Sequence, residues 1–262
     1  MERNSLNIVI LGAGNVATFL AEKLNPVANI VQVWSRSATT AKHLASKLTN
    51  AEVIESPSKV DTSADFYIIA VADDAIEEVA SQLPEVNGIV AHTSGSFPLD
   101  RFMKIVKGRS AGVLYPLQTF TKKSKSTIKD VPFLIEGSSG DTSSKLVALA
   151  RMISDDVLAV GSAMRADLHL AAVFANNFTN YILDLANRYL KENTKFSIKV
   201  LQPLLIETIN KAMSIDPYDA QTGPAVRNDV KVIDSHLKKL SPELAEVYNY
   251  LTERIKNDHH NF

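Results

Sequence analysis

Residues Gly12-Ala13-Gly14-Asn15-Val16-Ala17 carry the spacing G-x-G-x-x-A, which has a defined chemical use. The first glycine permits a tight turn, and the second lets the backbone approach a diphosphate. The alanine keeps the following helix close to the preceding strand, so the helix amides and the positive end of its dipole face the anion. The flanks give the spacing its weight. Ile8, Val9, Ile10 and Leu11 precede it as an unbroken apolar run, as in a strand buried on both faces. Val16, Phe19, Leu20 and Leu24 follow at helical spacing. The expected ligand is a dinucleotide held by Gly12, Ala13, Gly14, Asn15 and Val16. A tight turn that binds nothing is the competing explanation.

A second strand over residues 29–34 ends at Ser35-Arg36-Ser37, where an NAD site places an acid for the ribose 2′-hydroxyl. Two hydroxyls and a guanidinium without a carboxylate suit a 2′-phosphate instead. This predicts NADP(H) in preference to NAD(H). Val71 and Ala72, at the end of a strand over residues 65–71, are expected to wall the nicotinamide-ribose pocket. Asp73 or Asp74 is expected to cap the helix that follows.

Hydride transfer also needs a proton donor and a group that polarises the acceptor. His92-Thr93-Ser94-Gly95-Ser96 gathers hydrogen-bonding side chains at the carboxyl end of a strand, where open α/β sheets bind ligands. Further on, His169, Val173, Asn176, Asn180 and Asn187 fall on one stripe of a helix at about 100° per residue, with Asn177 beside it. Asparagine is a poor helix former, so its recurrence points to hydrogen bonding in a sheltered place. His92, Ser94, His169 and Asn176 are therefore the catalytic candidates, histidine because it titrates near neutrality. Thr93, Tyr115, Asn177, Asn180 and Arg227 are expected to orient a substrate. Bonding between helices or subunits is the competing explanation of the stripe.

Elements must hold these groups in place. Further strands are predicted over residues 51–54, 88–91, 110–114, 131–136 and 156–160, with helices over 38–48 and 143–153 and one carrying Ile76, Val79 and Leu83. Residues 122–129 read as a basic, solvated loop. Past Gly161 strand signals stop, and helices are predicted over 162–190, 197–213, 224–240 and 243–255, with Gly223 as the cap before Pro224. The chain is thus read as α/β, with a Rossmann-like, doubly wound, mostly parallel sheet over residues 1–161. A smaller all-α domain over 162–262 would serve substrate binding and dimerisation, and the substrate would sit in the cleft between the two domains.

Composition narrows the partners. Of 262 residues, 28 are Lys or Arg and 29 Asp or Glu, for a net charge of -1, so there is no electrostatic case for nucleic acid or an acidic membrane. The absence of cysteine excludes disulfides, thiolate metal sites and a cysteine nucleophile. No metal is expected: His259-His260 lies in what reads as a polar tail, and no other ligand set has suitable spacing. No apolar stretch reaches a membrane span, and the polar MERNSLN start leaves no room for a signal peptide, so a cytoplasmic protein is expected.

Several motifs together resemble one family. They are GAGNVA, the SRS after strand two, HTSGS at 92–96, GVLYPLQTF at 112–120, LHLAAVFANNF at 168–178 and TGPAVRND at 222–229. The family is that of predicted NADP-dependent oxidoreductases joining a Rossmann-like domain to a C-terminal helical domain of unknown function. More distantly the layout is similar to the 6-phosphogluconate dehydrogenase-like reductases, among them pyrroline-5-carboxylate reductase and ketopantoate reductase. The resemblance implies a cofactor at the glycine turn and a helical domain that completes the site and forms a homodimer. One departure matters. Hydroxyacid dehydrogenases and ketopantoate reductase use a catalytic lysine on a second-domain helix, whereas this chain has His169 and Asn176 there and no lysine before Lys191. The expected activity is hydride transfer to or from a small carbonyl, imine or hydroxy compound. A cofactor-binding sensor or scaffold without turnover is the alternative.

Overall fold

The computed structural model describes residues 6–121 and 131–260; the basic stretch 122–129 lies outside them. Every apolar run read as a strand joins a single eight-stranded sheet. The strands are β1 (Asn7–Leu11), β2 (Asn29–Trp34), β3 (Glu52–Val53), β4 (Phe66–Ile69), β5 (Ile89–His92), β6 (Ala111–Pro116), β7 (Phe133–Gly137) and β8 (Val157–Ala159). Their order is β3-β2-β1-β4-β5-β6-β7-β8, parallel throughout except for the β6–β7 pair. Chain order reverses between β1 and β4, the switch point at which doubly wound sheets bind ligands.

Alternation along the strands feeds two cores. Ile8 and Ile10 of β1 join one cluster with Leu20 of α1 (Asn15–Leu24), Leu44 of α2 (Ala38–Ala45) and Leu146 of α5 (Gly140–Arg151). Val9 and Leu11 point the other way, toward Val79 of α3 (Ile76–Ser81) and Phe102 of α4 (Leu99–Val106). Covering both faces is what allows the strands to be apolar without a break. α5 starts earlier than expected because the Ser139 hydroxyl accepts from the Thr142 amide and caps it there.

One row of the sheet organises the site. Leu11 pairs with Ile69, Ile69 with His92, His92 with Val113 and Val113 with Glu136. The chain therefore leaves β1, β4 and β5 at one level, and the reversed β7 brings Glu136 to the same level.

Past Gly161 no strand occurs among the described residues. The helix expected over 162–190 is interrupted. α6 (Ser162–Ala172) passes through a π-helical turn at Val173–Phe178 into α7 (Thr179–Asn193). A π turn fits more residues per turn than an α-helix, so the angular spacing that aligned His169 with Asn176 and Asn180 does not hold across it. The remaining helices are α8 (Gln202–Ser214), α9 (Pro217–Ala220), α10 (Val230–Leu237) and α11 (Pro242–His260). Gly223 is not a helix cap. Residues 224–228 form a turn, and Asp229 caps α10 by accepting from the Val232 amide. His259 and His260 close α11 instead of lying in a tail, and His259 stacks on Tyr218. The chain divides into two compact units, Met1–Ala175 and Asn176–Phe262.

Candidate functional site

The glycine turn is shaped as a phosphate cradle. Gly12 has φ 134°, and a Cβ on it would stand 2.1 Å from the Ala70 carbonyl oxygen, so a side chain is barred by both backbone and neighbour. Its amide donates to the Trp34 carbonyl at 2.7 Å. Gly14 faces open space, with nothing within 4 Å of where its Cβ would be. It precedes α1, whose first amides receive no side-chain cap. Bare amides, an open approach and a helix N-terminus fit a diphosphate. The Asn15 side chain is engaged elsewhere: its Nδ2 donates to the Phe120 carbonyl at 2.8 Å, and Phe120 stacks on Phe19 of α1. That leaves the Asn15 main chain for a ligand.

At the end of β2, Arg36 is exposed and has no hydrogen bond or ion pair among the described residues. Ser37 caps α2 by accepting from the Thr40 amide, while Ser35 shares a hydrogen bond with the Thr40 hydroxyl. Guanidinium and helix N-terminus together suit a phosphate. Beyond β4, Val71 is half-buried and Ala72 exposed.

The cap expected from Asp73 or Asp74 is not what the structure contains. Ala75 precedes α3 without a side-chain cap, and Asp73 turns instead to β5. Its Oδ2 accepts from Ser94 Oγ at 2.7 Å and Ser96 Oγ at 2.5 Å. Ser94 Oγ in turn accepts from the amides of Ser96 and Phe97. Thr93 is buried, its amide and hydroxyl both directed to the Ile69 carbonyl.

The two histidines part company. His92 is 0% exposed, lies edge-on to Phe97 and Phe102, and accepts from the Ser94 amide at Nδ1. Its Nε2 has no hydrogen-bond partner among the described residues. Burial, helped by the nearby Arg165 charge, pushes its pKa down to about 3. His169 is half-buried on α6, with Nδ1 at 2.9 Å from the Tyr115 hydroxyl. Tyr115, half-buried on β6, has its pKa raised by burial and then by Asp73, which keeps the phenol protonated. Gly95 lies against the same imidazole.

Sequence reasoning missed what anchors α6. Arg165 is 0% exposed. Its Nη1 pairs with Glu136 Oε2, and Nη2 donates to the Phe97 carbonyl at 2.7 Å. Glu136 also accepts from the amide and hydroxyl of Ser162, and Ser162 Oγ accepts from the Leu99 amide. The available signal was the i, i+3, i+7 set Ser162, Arg165 and His169, three polar groups on one helical face.

Asn176, Asn177, Asn180 and Arg227 belong to the second unit and are exposed there. Asn176 Nδ2 reaches Asn177 Oδ1 at 3.5 Å. Arg227 sits in a turn bracketed by Gly223 (φ 115°) and Asn228 (φ 51°), not in the first turn of a helix. Among the described residues no group of three or more His, Cys, Asp or Glu is placed to hold a metal ion.

A Rossmann-like domain model matches residues 1–111, and a domain of unknown function (DUF2520) matches residues 131–255. A solved structure from Bacteroides fragilis, provisionally named an NADP oxidoreductase, is 37% identical. The alignment covers 97% of this chain and 98% of that one, with a TM-score of 0.89. The chain belongs to that oxidoreductase family. This oxidoreductase shares its fold, at 13% identity, with a reductive aminase from Aspergillus terreus solved with NADPH and ethyl-5-oxohexanoate. That alignment covers 96% of this chain and 93% of the other, with a TM-score of 0.73. The fold also matches pyrroline-5-carboxylate reductase from Streptococcus pyogenes at 13% identity, covering 97% and 100%, with a TM-score of 0.67. A search of curated proteins finds no match.

Proposed function

We propose that this oxidoreductase reduces a small carbonyl or imine with NADPH, and that Tyr115, backed by His169, is its proton donor. The observation that carries the reading is the 2.9 Å contact between the Tyr115 hydroxyl and His169 Nδ1, beside the loops that leave β4 and β5. When bound, NADPH supplies the hydride. Gly12, Ala13, Gly14, Val16 and the Asn15 main chain would hold the diphosphate, Arg36 and the α2 N-terminus the 2′-phosphate, and Val71 and Ala72 the nicotinamide side. Tyr115 gives its hydroxyl proton to the substrate heteroatom, and His169 replaces it through Nδ1. This gives Tyr115 more than the orienting role its place in the sequence suggests. It also moves His92 and Ser94 from acid–base work to support, since both are buried, His92 has its pKa pushed down to about 3, and the Ser94 hydroxyl is bonded to Asp73. Asn176, Asn177, Asn180 and Arg227 remain candidates for substrate contact.

NADPH oxidation against a panel of cyclic imines and small ketones tests this. Tyr115→Phe is expected to lower kcat by about two to four orders of magnitude with NADPH affinity unchanged. Full turnover in that variant would sink the assignment, and NADPH binding without turnover of any substrate would favour a sensor or scaffold. For cofactor choice, Arg36→Ala is expected to weaken NADPH binding by about 1–3 kcal/mol in calorimetry and NADH binding hardly at all. We further propose a homodimer built on the helical unit, working in the cytoplasm. No helix among the described residues is long and apolar enough to cross a membrane.

A further inference from the structure

Resting on the Tyr115–His169 reading, we infer that Asp73 is a positioning residue: through Ser94 and Ser96 it braces Gly95 against the imidazole and so fixes the proton-transfer pair. The two serines flank Gly95, and one carboxylate oxygen accepts from both, at 2.7 and 2.5 Å. Ser94 Oγ also accepts from the amides of Ser96 at 3.1 Å and Phe97 at 3.0 Å, which closes the loop on itself. Gly95 can lift only if these bonds break.

What Gly95 presses on is the reacting ring. A Cβ at this position would stand 2.7 Å from both Cγ and Nδ1 of His169 and 2.9 Å from its Cβ. Nδ1 is the atom that meets Tyr115. The far end of the same loop is tied down as well, because the Phe97 carbonyl accepts from Arg165 and the Leu99 amide donates to Ser162. Arg165 lies one helical turn before His169, so a single loop sets both the helix and the ring it carries. Gly95 is not among the residues with positive φ. An alanine there meets no positive-φ strain, and the atoms nearest its Cβ all belong to His169.

The test compares Gly95→Ala, Asp73→Ala and Asp73→Asn in the full chain. It uses three measurements: NADPH titration, the imidazole nitrogen NMR spectrum, and NADPH oxidation with pyrroline as the probe imine. Gly95→Ala and Asp73→Ala are expected to keep NADPH affinity within about twofold while the His169 Nδ1 signal leaves its hydrogen-bonded position. kcat should fall by about a hundredfold, the size of effect a misplacement of about 1 Å produces. Asp73→Asn, whose amide oxygen still accepts a hydrogen bond, should recover part of both. An Nδ1 signal unchanged in both Gly95→Ala and Asp73→Ala overturns the brace. Tyr115→Phe turnover is read separately, so failure of the proton-donor assignment leaves the nitrogen spectrum to decide this one.

Discussion

His92 and His169 are the same residue type with opposite fates, and burial separates them. With Nδ1 accepting from the Ser94 amide and its pKa pushed down to about 3, His92 is neutral near pH 7. The unfolded chain takes up a proton near the ordinary 6.5. Between that value and about 3 the unfolded state therefore binds more protons, and stability falls as pH falls, by up to about 1.4 kcal/mol per pH unit. Urea unfolding from pH 6.5 to 5 should show wild type losing about 2 kcal/mol that His92→Asn does not lose. Equal pH slopes would refute this account of the residue. The sequence could not rank the two histidines, because what buries His92 is Phe97 and Phe102, brought to it by a loop and α4. The contact of Tyr115 with His169 was hidden for the same reason: the two lie on elements far apart along the chain. Asp73 was read as a cap because a carboxylate before a helix commonly caps it; two serines at the end of the neighbouring strand outbid the helix amides.

Among the elements, strands were the most legible. Continuous apolar runs closed by glycine or polar clusters can hardly be read otherwise, so β1, β4 and β5 and the glycine turn follow from the residues alone. The π turn was not legible. Its main-chain bonding has no side-chain signature, and Val173–Phe178 reads as ordinary helix. Nor could spacing pair Glu136 with Arg165, which join β7 to α6. Arg165 is sealed from water, so removing the Glu136 charge leaves a buried guanidinium without its counter-ion, while removing Arg165 opens a gap beneath α6. Glu136→Gln should cost about 3–5 kcal/mol in chemical denaturation, Arg165→Met less, and the double variant less than their sum. Additive losses would mean the two groups do not depend on each other.

Across the whole molecule, the two units differ in how well they bury themselves. The sheet closes two cores, whereas α8 has no buried residue and leaves Leu204, Ile209 and Met213 62%, 54% and 76% exposed. Apolar surface of this kind marks an association site. Sedimentation at micromolar concentration should find a dimer, and Met213→Glu with Leu204→Glu should yield a monomer; a wild-type monomer would remove the proposal. The reversal of β7 has its own consequence for how such a chain can change. Glu136 meets Arg165 because it faces one side of the sheet, in the row that also holds His92. Inserting or deleting one residue between Phe133 and Glu136 would turn that carboxylate to the opposite side. Chain length in this short stretch is thereby frozen by a helix that begins three elements later, and tolerated indels should avoid it.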